Sequence, residues 1–265
     1  MRAKLKAILM QRRPLLLARL LRFQSNWNRD LFTFLNVVRR GDTVFDVGAN
    51  EGLFTEAFAR IVGPQGAVYG FEPVPPTFER LARRFPDRAR WRQVHLEPVA
   101  VGNTTGLVQL HMPGEDSGQA SLRVHTDGSW SARNPVQSFT CRCTTLDEFA
   151  ARQGVQRIDL LKVDVEGAEL LVLQGARAIL RQQRPILFLE IWDHWMKSFG
   201  YQPSDVAACL EDAGYDTLVV VADRIQVIGN LRGDWQPALT SGVHNLLAIA
   251  SDRFADRFAA IRRRL

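Results

Sequence analysis

The amino-acid sequence predicts an α/β fold: a doubly wound, mostly parallel sheet with helices on both faces. Three observations carry that expectation. From Gly41 onward, β-rich runs alternate with stretches of helical periodicity, the pattern of strands joined by helical crossovers. The first of these runs ends in a glycine-bearing turn that opens a helix, as ligand-binding strand ends do in such sheets. The chain has 265 residues, 46% hydrophobic and 23% charged, which suits one large core and excludes disordered or fibrous classes.

Residues 1–40 read as a basic, amphipathic N-terminal helical segment preceding a main domain over residues 41–265. Leu5, Ile8, Leu9, Leu16, Leu20 and Phe23 recur at helical spacing, and Pro14 suits the first turn of a restarted helix. Such a segment either caps the domain, the favoured reading, or lays residues 1–24 against a membrane surface or an acidic carrier. The leucine-rich run from Leu15 to Leu21 is interrupted by Arg19 and too short to span a bilayer. No small-residue cleavage site follows it, so the expected compartment is the cytoplasm. Cys141, Cys143 and Cys209 lack a zinc-site spacing and read as reduced thiols.

Charge is divided unevenly. Residues 1–40 carry ten Lys and Arg against Asp30, a net +9, whereas the whole chain is +6, so the main domain is slightly acidic. That argues against nucleic acid as the partner, since such enzymes present a basic cleft on the domain that does the chemistry.

Along the main domain, strands are expected over residues 43–47, 67–71, 94–101, 158–163, 186–191, 217–221 and 244–250. Helices are expected over 53–61, 77–85, 168–180 and 203–213, with a basic helix after Ser251. Residues 112–137, rich in Gly, Ser, Asp and Pro, interrupt the rhythm between short β-like runs at 107–111 and 136–140. They read as a substrate loop or lid.

The segment Asp46-Val47-Gly48-Ala49-Asn50-Glu51-Gly52 stands at a strand's carboxyl end and opens a helix. Glycines there let the backbone turn sharply and approach a ligand that the helix amides face. The Gly-Lys-Ser/Thr ending of a phosphate-cradling loop is missing, as is the three-glycine spacing of the dinucleotide fingerprint. Asp46 opposes a pyrophosphate and suits a ligand with a cationic amino-acid portion. Glu72, ending the next strand, is placed to accept hydrogen bonds from both ribose hydroxyls. Together these features point to S-adenosylmethionine.

Three blocks, Phe45-Asp46-Val47-Gly48-Ala49-Asn50-Glu51-Gly52, Gly70-Phe71-Glu72-Pro73 and Lys162-Val163-Asp164-Val165-Glu166-Gly167-Ala168-Glu169, resemble the FkbM family of methyltransferases. Thr145-Leu146-Asp147 and residues 185–190 match it in order as well, so the likeness spans residues 40–195. The resemblance implies a class I methyltransferase (Rossmann-like) sheet with an antiparallel strand near the C-terminus. It also implies methyl transfer from S-adenosylmethionine to a hydroxyl of a sugar, glycan or natural product. Carried onto this chain, it implies that Asp46, Gly48, Ala49, Asn50 and Gly52 line the methionine end. Glu72 and Pro73 would meet the ribose, and Ala100 the adenine. Glu97 is either an acceptor for the adenine amino group or a solvated carboxylate.

Methyl transfer is an in-line displacement in which the enzyme aligns the nucleophile and removes the acceptor's proton. Asp164, at a strand end, is a candidate for the cofactor edge or the base, with helix capping as the alternative. Glu166 suits the same chemistry, or a first helical turn where acidic residues complement the dipole. Lys162 reads as a buried partner of a carboxylate. Glu190 ends a later strand and is followed by His194, whose ordinary pKa suits a base; a carboxylate–histidine set equally suits a divalent cation. The base thus stays open among Asp164, Glu166, Glu190 and His194, and so does any metal. Trp192 and Trp195 read as core residues or as stacking surfaces for a sugar, and His244 and Asn245 as structural or acceptor-edge residues.

The expected partner is a small-molecule or glycan acceptor. A nucleic-acid methyltransferase using the basic segment as a substrate arm is the alternative. It is opposed by the lack of an Asn/Asp-Pro-Pro-aromatic loop and by carboxylates that repel phosphate. A non-catalytic cofactor-binding scaffold is opposed by the intact Gly48, Gly52 and Glu72.

Overall fold

The structure, a computed structural model, describes residues 26–114, 117–125, 130, 135–221, 225–228 and 244–262. The stretch 1–24, expected as a cap or as a membrane- or carrier-facing helix, lies outside these, as do parts of the expected lid.

Helix α1 (Asn26–Val37) leads into β1 (Thr43–Val47), α2 (Leu53–Val62), β2 (Ala67–Phe71), α3 (Pro75–Arg84) and β3 (Val94–Glu97). There follow β4 (Ala100–Val101), β5 (Gly106–Pro113), β6 (Val136–Thr144), α4 (Leu146–Gln153), β7 (Leu160–Val163), α5 (Glu169–Gln174) and β8 (Ile186–Ile191). The remaining described elements are α6 (Asp193–Met196), α7 (Pro203–Asp212), β9 (Thr217–Val221), β10 (Ile225–Ile228), β11 (His244–Ile249) and α8 (Ser251–Arg262).

The main sheet runs β10-β9-β11-β8-β7-β1-β2-β3. Strands β3, β2, β1, β7 and β8 are parallel, and β11 is antiparallel to both β8 and β9. This is the doubly wound sheet predicted from the sequence, with the antiparallel strand near the C-terminus that the resemblance implies. From β1 the chain winds outward to β2 and β3, then returns to β7 on the other side of β1. The carboxyl ends of β1 and β7 therefore border the crevice where open α/β sheets hold ligands.

Strands buried on both faces are mostly apolar on both, and β7 is buried throughout, with Lys162 its one charged residue. Phe45, Leu161 and Leu187 pack on one face with α4, α5 and α7. Val44, Leu160 and Phe188 pack on the other with α1, α2 and α8. Residues 26–37, placed by the sequence in a separate N-terminal segment, thus belong to the main core. Phe34 is fully buried, its ring 4.7 Å from Phe58 and 4.5 Å from Phe188. From α8, Arg257 reaches the α1–β1 turn and grips Asp42 at 2.6 and 2.9 Å.

Three expectations change. The strand expected over 94–101 divides into β3 and β4, which join different sheets; Pro98 between them has no N–H to donate to a ladder. Strand β4 pairs with β6 in a small sheet completed by β5. The helix expected over 168–180 is broken: α5 ends at Gln174 with Gly175 as its C-cap, where a Cβ would lie 2.0 Å from the Gly102 carbonyl oxygen, and a π-helical turn follows over Ile179–Gln183. Helix α4, which the periodicity did not reveal, starts where Thr145 Oγ1 accepts from the Glu148 amide. Among the described residues no helix is long and apolar enough to cross a membrane, and the three cysteines are free thiols.

Candidate active site

After Val47 the chain turns through Gly48 (φ 77°) and Asn50 (φ 48°), both left-handed. A Cβ on Gly48 would stand 1.8 Å from the Asp164 carbonyl oxygen, so only glycine lets the ends of β1 and β7 meet this closely. Gly52 departs from its expected role. A Cβ there would meet Leu81 at 2.4 Å, so Gly52 serves the packing of α2 on α3 and does not line the crevice.

Asp46 departs too. It is fully buried beneath the turn, where its Oδ2 accepts from the Thr55 hydroxyl (2.6 Å) and Lys162 Nζ lies 3.3 Å from Oδ1. Asp46 and Lys162 are register partners on β1 and β7, so both side chains leave the sheet on one face. The Lys162 ammonium also donates to the Gly48 carbonyl (3.2 Å) and stands 3.2 Å from Asp164 Oδ2. Burial works against the Lys162 charge, but the Asp164 and Asp46 carboxylates outweigh it and raise its pKa.

Glu72 is 4% exposed, and its oxygens accept from the Asn50 and Val74 amides, both at 2.9 Å. Burial pushes its carboxyl up to about 7, with the two amide bonds pulling the other way. A carboxylate accepts about four hydrogen bonds, so capacity remains for a ligand.

Two cavities meet in the crevice. One, about 180 Å³, runs from Glu72, Pro73 and Ala100 past Gly48 to Asp164, Glu166 and Glu190. The other, about 850 Å³, is bounded by residues including Ala49, Leu53, Phe54, Arg80 and Gln137. Gly48, Asn50, Gly118 and Asp164 line both.

One carboxylate oxygen each from Asp164, Glu166 and Glu190 lies within 4.8 Å of the others. The Asp164 charge, then burial, then a hydrogen bond between the two carboxyls push Glu190 well above the ordinary carboxylate range. Glu166 sits at φ 55° and Gly167 at φ 97°. This tight turn is held from below by Glu169 Oε1, which accepts from the Val165 and Gly167 amides (3.2 Å each). Tyr201 donates its hydroxyl to the Gly167 carbonyl. From the loop after β5, the Ser121 hydroxyl donates to the Glu166 carbonyl (2.8 Å), and His125 Nε2 lies 3.2 Å from the same oxygen.

Two further expected residues fall outside the cavities. Glu97 lies at the half-buried end of β3, where its carbonyl accepts from the Glu72 amide (3.1 Å). His194 is exposed, because α6 buries Trp195 and Met196 and turns residue 194 outward. Trp195 is core, 2% exposed and stacked 4.5 Å from His125, and Trp192 packs 4.4 Å from Trp195. Asn245 is opposite Glu190 in register, while the His244 side chain is outside the described residues. Sequence reasoning did not single out Asp30, His125 or Tyr201. Periodicity marks none of them, and only the packing of α1, the loop after β5 and the turn before α7 brings them near the site.

A family model described as the methyltransferase FkbM domain matches residues 46–217. The chain is 29% identical over 202 residues to the hexuronic acid methyltransferase AglP of Haloferax volcanii, covering 76% of this chain and 75% of that protein. It is 27% identical over 153 residues to the 2-O-methyltransferase NoeI of Sinorhizobium fredii, 53% of this chain and 60% of the other. It is 29% identical over 161 residues to the 31-O-demethyl-FK506 methyltransferase FkbM of Streptomyces tacrolimicus, 52% of this chain and 60% of the other.

Proposed function

This chain belongs to the FkbM family of S-adenosylmethionine-dependent methyltransferases, and on that premise we propose that it methylates a hydroxyl oxygen of a sugar or glycan-linked acceptor, with natural-product hydroxyls as the neighbouring class.

The residues present fit the cofactor. The bare Gly48 turn, barred to any Cβ, leaves backbone open to the crevice, and the buried Glu72 carboxylate keeps acceptor capacity. Glu72 would hold the ribose hydroxyls, Gly48 and Asn50 the methionine end, and the apolar wall of Val99, Ala100 and Val101 the adenine. When bound, S-adenosylmethionine supplies an electrophilic methyl on a good leaving group.

The observation that carries the proposal is that Asp164 lines both cavities, with its carboxylate anchored by Lys162. A hydroxyl presented from the larger cavity meets Asp164, which takes the proton on its carboxylate as the oxygen attacks. Lys162 orients that carboxylate, and Glu190 flanks it. The larger cavity mixes apolar Leu53 and Phe54 with polar Asn50, Arg80 and Gln137, a lining that suits a polyhydroxylated ring. The activities named for the relatives, on a hexuronic acid and at 2-O and 31-O positions, support the same class.

The test is incubation with S-adenosylmethionine and a panel of hydroxylated glycans, read by mass spectrometry for one added methyl. Asp164→Asn should bind the cofactor and lose transfer by at least a hundredfold, the lower range for a general base. Wild type that binds no S-adenosylmethionine, or methylates nitrogen in preference to oxygen, overturns the reading.

A further inference from the structure

We propose that Ser121 and His125 are positioning residues for methyl transfer: by holding the Glu166 carbonyl they keep residues 117–125, the strap after β5, closed as one wall of the cofactor cavity. Gly118, Ala120 and Leu122 of the strap line that cavity together with Gly48 and Glu72.

The strap is fastened at two places. On the β5 side, Ser121 pairs with His111: its amide donates to the His111 carbonyl (2.9 Å), and its carbonyl accepts from the His111 amide (2.8 Å). Across the cavity mouth, the Ser121 hydroxyl donates to the Glu166 carbonyl (2.8 Å), and His125 Nε2 lies 3.2 Å from the same oxygen. A carbonyl only accepts, so Nε2 carries the hydrogen, and the two donors occupy both lone pairs of that oxygen. Ser121 and His125 are 1% and 3% exposed, so these bonds form where water does not compete for them.

The His125 ring is oriented for this contact. It stacks on Trp195 at 4.5 Å and meets Trp130 edge-on at 5.2 Å. Its Nδ1 lies 3.2 Å from the Ser198 hydroxyl, which donates to the Trp195 carbonyl (2.7 Å). These contacts fix the plane of the imidazole and leave Nε2 aimed at Glu166.

The carbonyl they hold belongs to a strained turn. Glu166 is a non-glycine residue at φ 55°, a conformation kept only where the surroundings impose it. Glu169 imposes it from the α5 side, and Ser121 and His125 impose it from the strap. Asp164 stands two residues before Glu166, and both line the cavity. One oxygen therefore couples the cofactor wall to the segment that carries Asp164. The inference rests on the S-adenosylmethionine site and not on which hydroxyl is methylated.

The experiment is calorimetric titration of S-adenosylmethionine into the full chain and its variants, with hydrogen exchange of the strap amides read by mass spectrometry. His125→Phe keeps a ring for the stack and removes the donor, and Ser121→Ala removes the other donor. Each should weaken the cofactor about three- to tenfold, the range for one hydrogen bond, and speed exchange over residues 117–125. His125→Gln loses the stack but keeps a donor, and should bind the cofactor more tightly than His125→Phe. Faster strap exchange with unchanged cofactor affinity overturns the coupling. Equal or tighter binding by His125→Phe than by His125→Gln reduces His125 to packing and overturns its role. Wild type that binds S-adenosylmethionine while Ser121→Ala leaves both readouts unchanged overturns the latch and leaves the methyltransferase reading standing. Wild type that binds no S-adenosylmethionine overturns the cofactor site, and the latch with it. Ser121→Ala decides alone if either His125 variant fails to fold.

Discussion

Lys162 and Asp164 form an ion pair across two positions of one strand end, Nζ to Oδ2 3.2 Å, with the lysine side chain 2% exposed and the aspartate 31%. The pair joins core to crevice. Residues 162 and 164 share a face because strand side chains alternate. The same ammonium holds Asp46, so one buried charge locks β1 to β7 at the switch point.

Removing that charge leaves two carboxylates without their cation. Lys162→Met is expected to destabilise the fold by about 3–5 kcal/mol, the usual cost of breaking a buried pair from one side. Urea denaturation checks this, and a loss under about 1 kcal/mol would show that the pair contributes little.

Glu72→Ala should weaken S-adenosylmethionine binding at least tenfold, or about 1.4 kcal/mol, by calorimetric titration. Unchanged affinity would remove Glu72 from the cofactor site.

The same residue sets a pH dependence. Burial raises Glu72 to about 7 from the ordinary 4.5, so its charged, hydrogen-bond-accepting form is incomplete below neutrality. Cofactor affinity is therefore expected to rise with pH through the 6–7 range and level off above it. For folding the sign is opposite. Because the folded pKa is the higher one, the stability this group contributes is present below about 4.5 and lost as pH rises towards 7. Glu72→Gln should flatten both trends, and a wild-type binding profile already flat from pH 5.5 to 8 would contradict the assignment.

Gly48→Ala should be far more damaging than Gly154→Ala. Both have left-handed φ, 77° and 67°, but a Cβ at 48 strikes the Asp164 carbonyl, while nothing lies within 4 Å at 154. The backbone penalty alone is about 1–2 kcal/mol, which Gly154→Ala should show, whereas Gly48→Ala should exceed it and abolish cofactor binding. Equal melting temperatures for the two would refute the close approach of β1 to β7.

His194→Ala should leave methyl transfer within about twofold, because general bases contribute about 10²–10⁴ and this exposed ring lines neither cavity. A hundredfold loss would return His194 to the mechanism.

The alternation of strand and helix, the Gly48 turn and the strand-end positions of Glu72, Asp164 and Glu190 were legible in the sequence. Each depends on local rules: periodicity, glycine's access to left-handed φ, and the tendency of open sheets to bind ligands at strand ends. The same rules misplaced Asp46 and Gly52, because the motif names the residues of a turn without saying which face each side chain takes. They misplaced His194 because a short helix, invisible to periodicity, rotated it outward.

What the sequence determined by itself was therefore the fold class, the strand ends that border the crevice and the carboxylates placed there. The tertiary structure alone decided which of those groups meet. Lys162 is 116 residues from Asp46, and Asp30 and Asn245 approach the site from opposite ends of the chain. Such contacts are products of sheet order and helix packing, which bring together positions that no spacing along the chain relates.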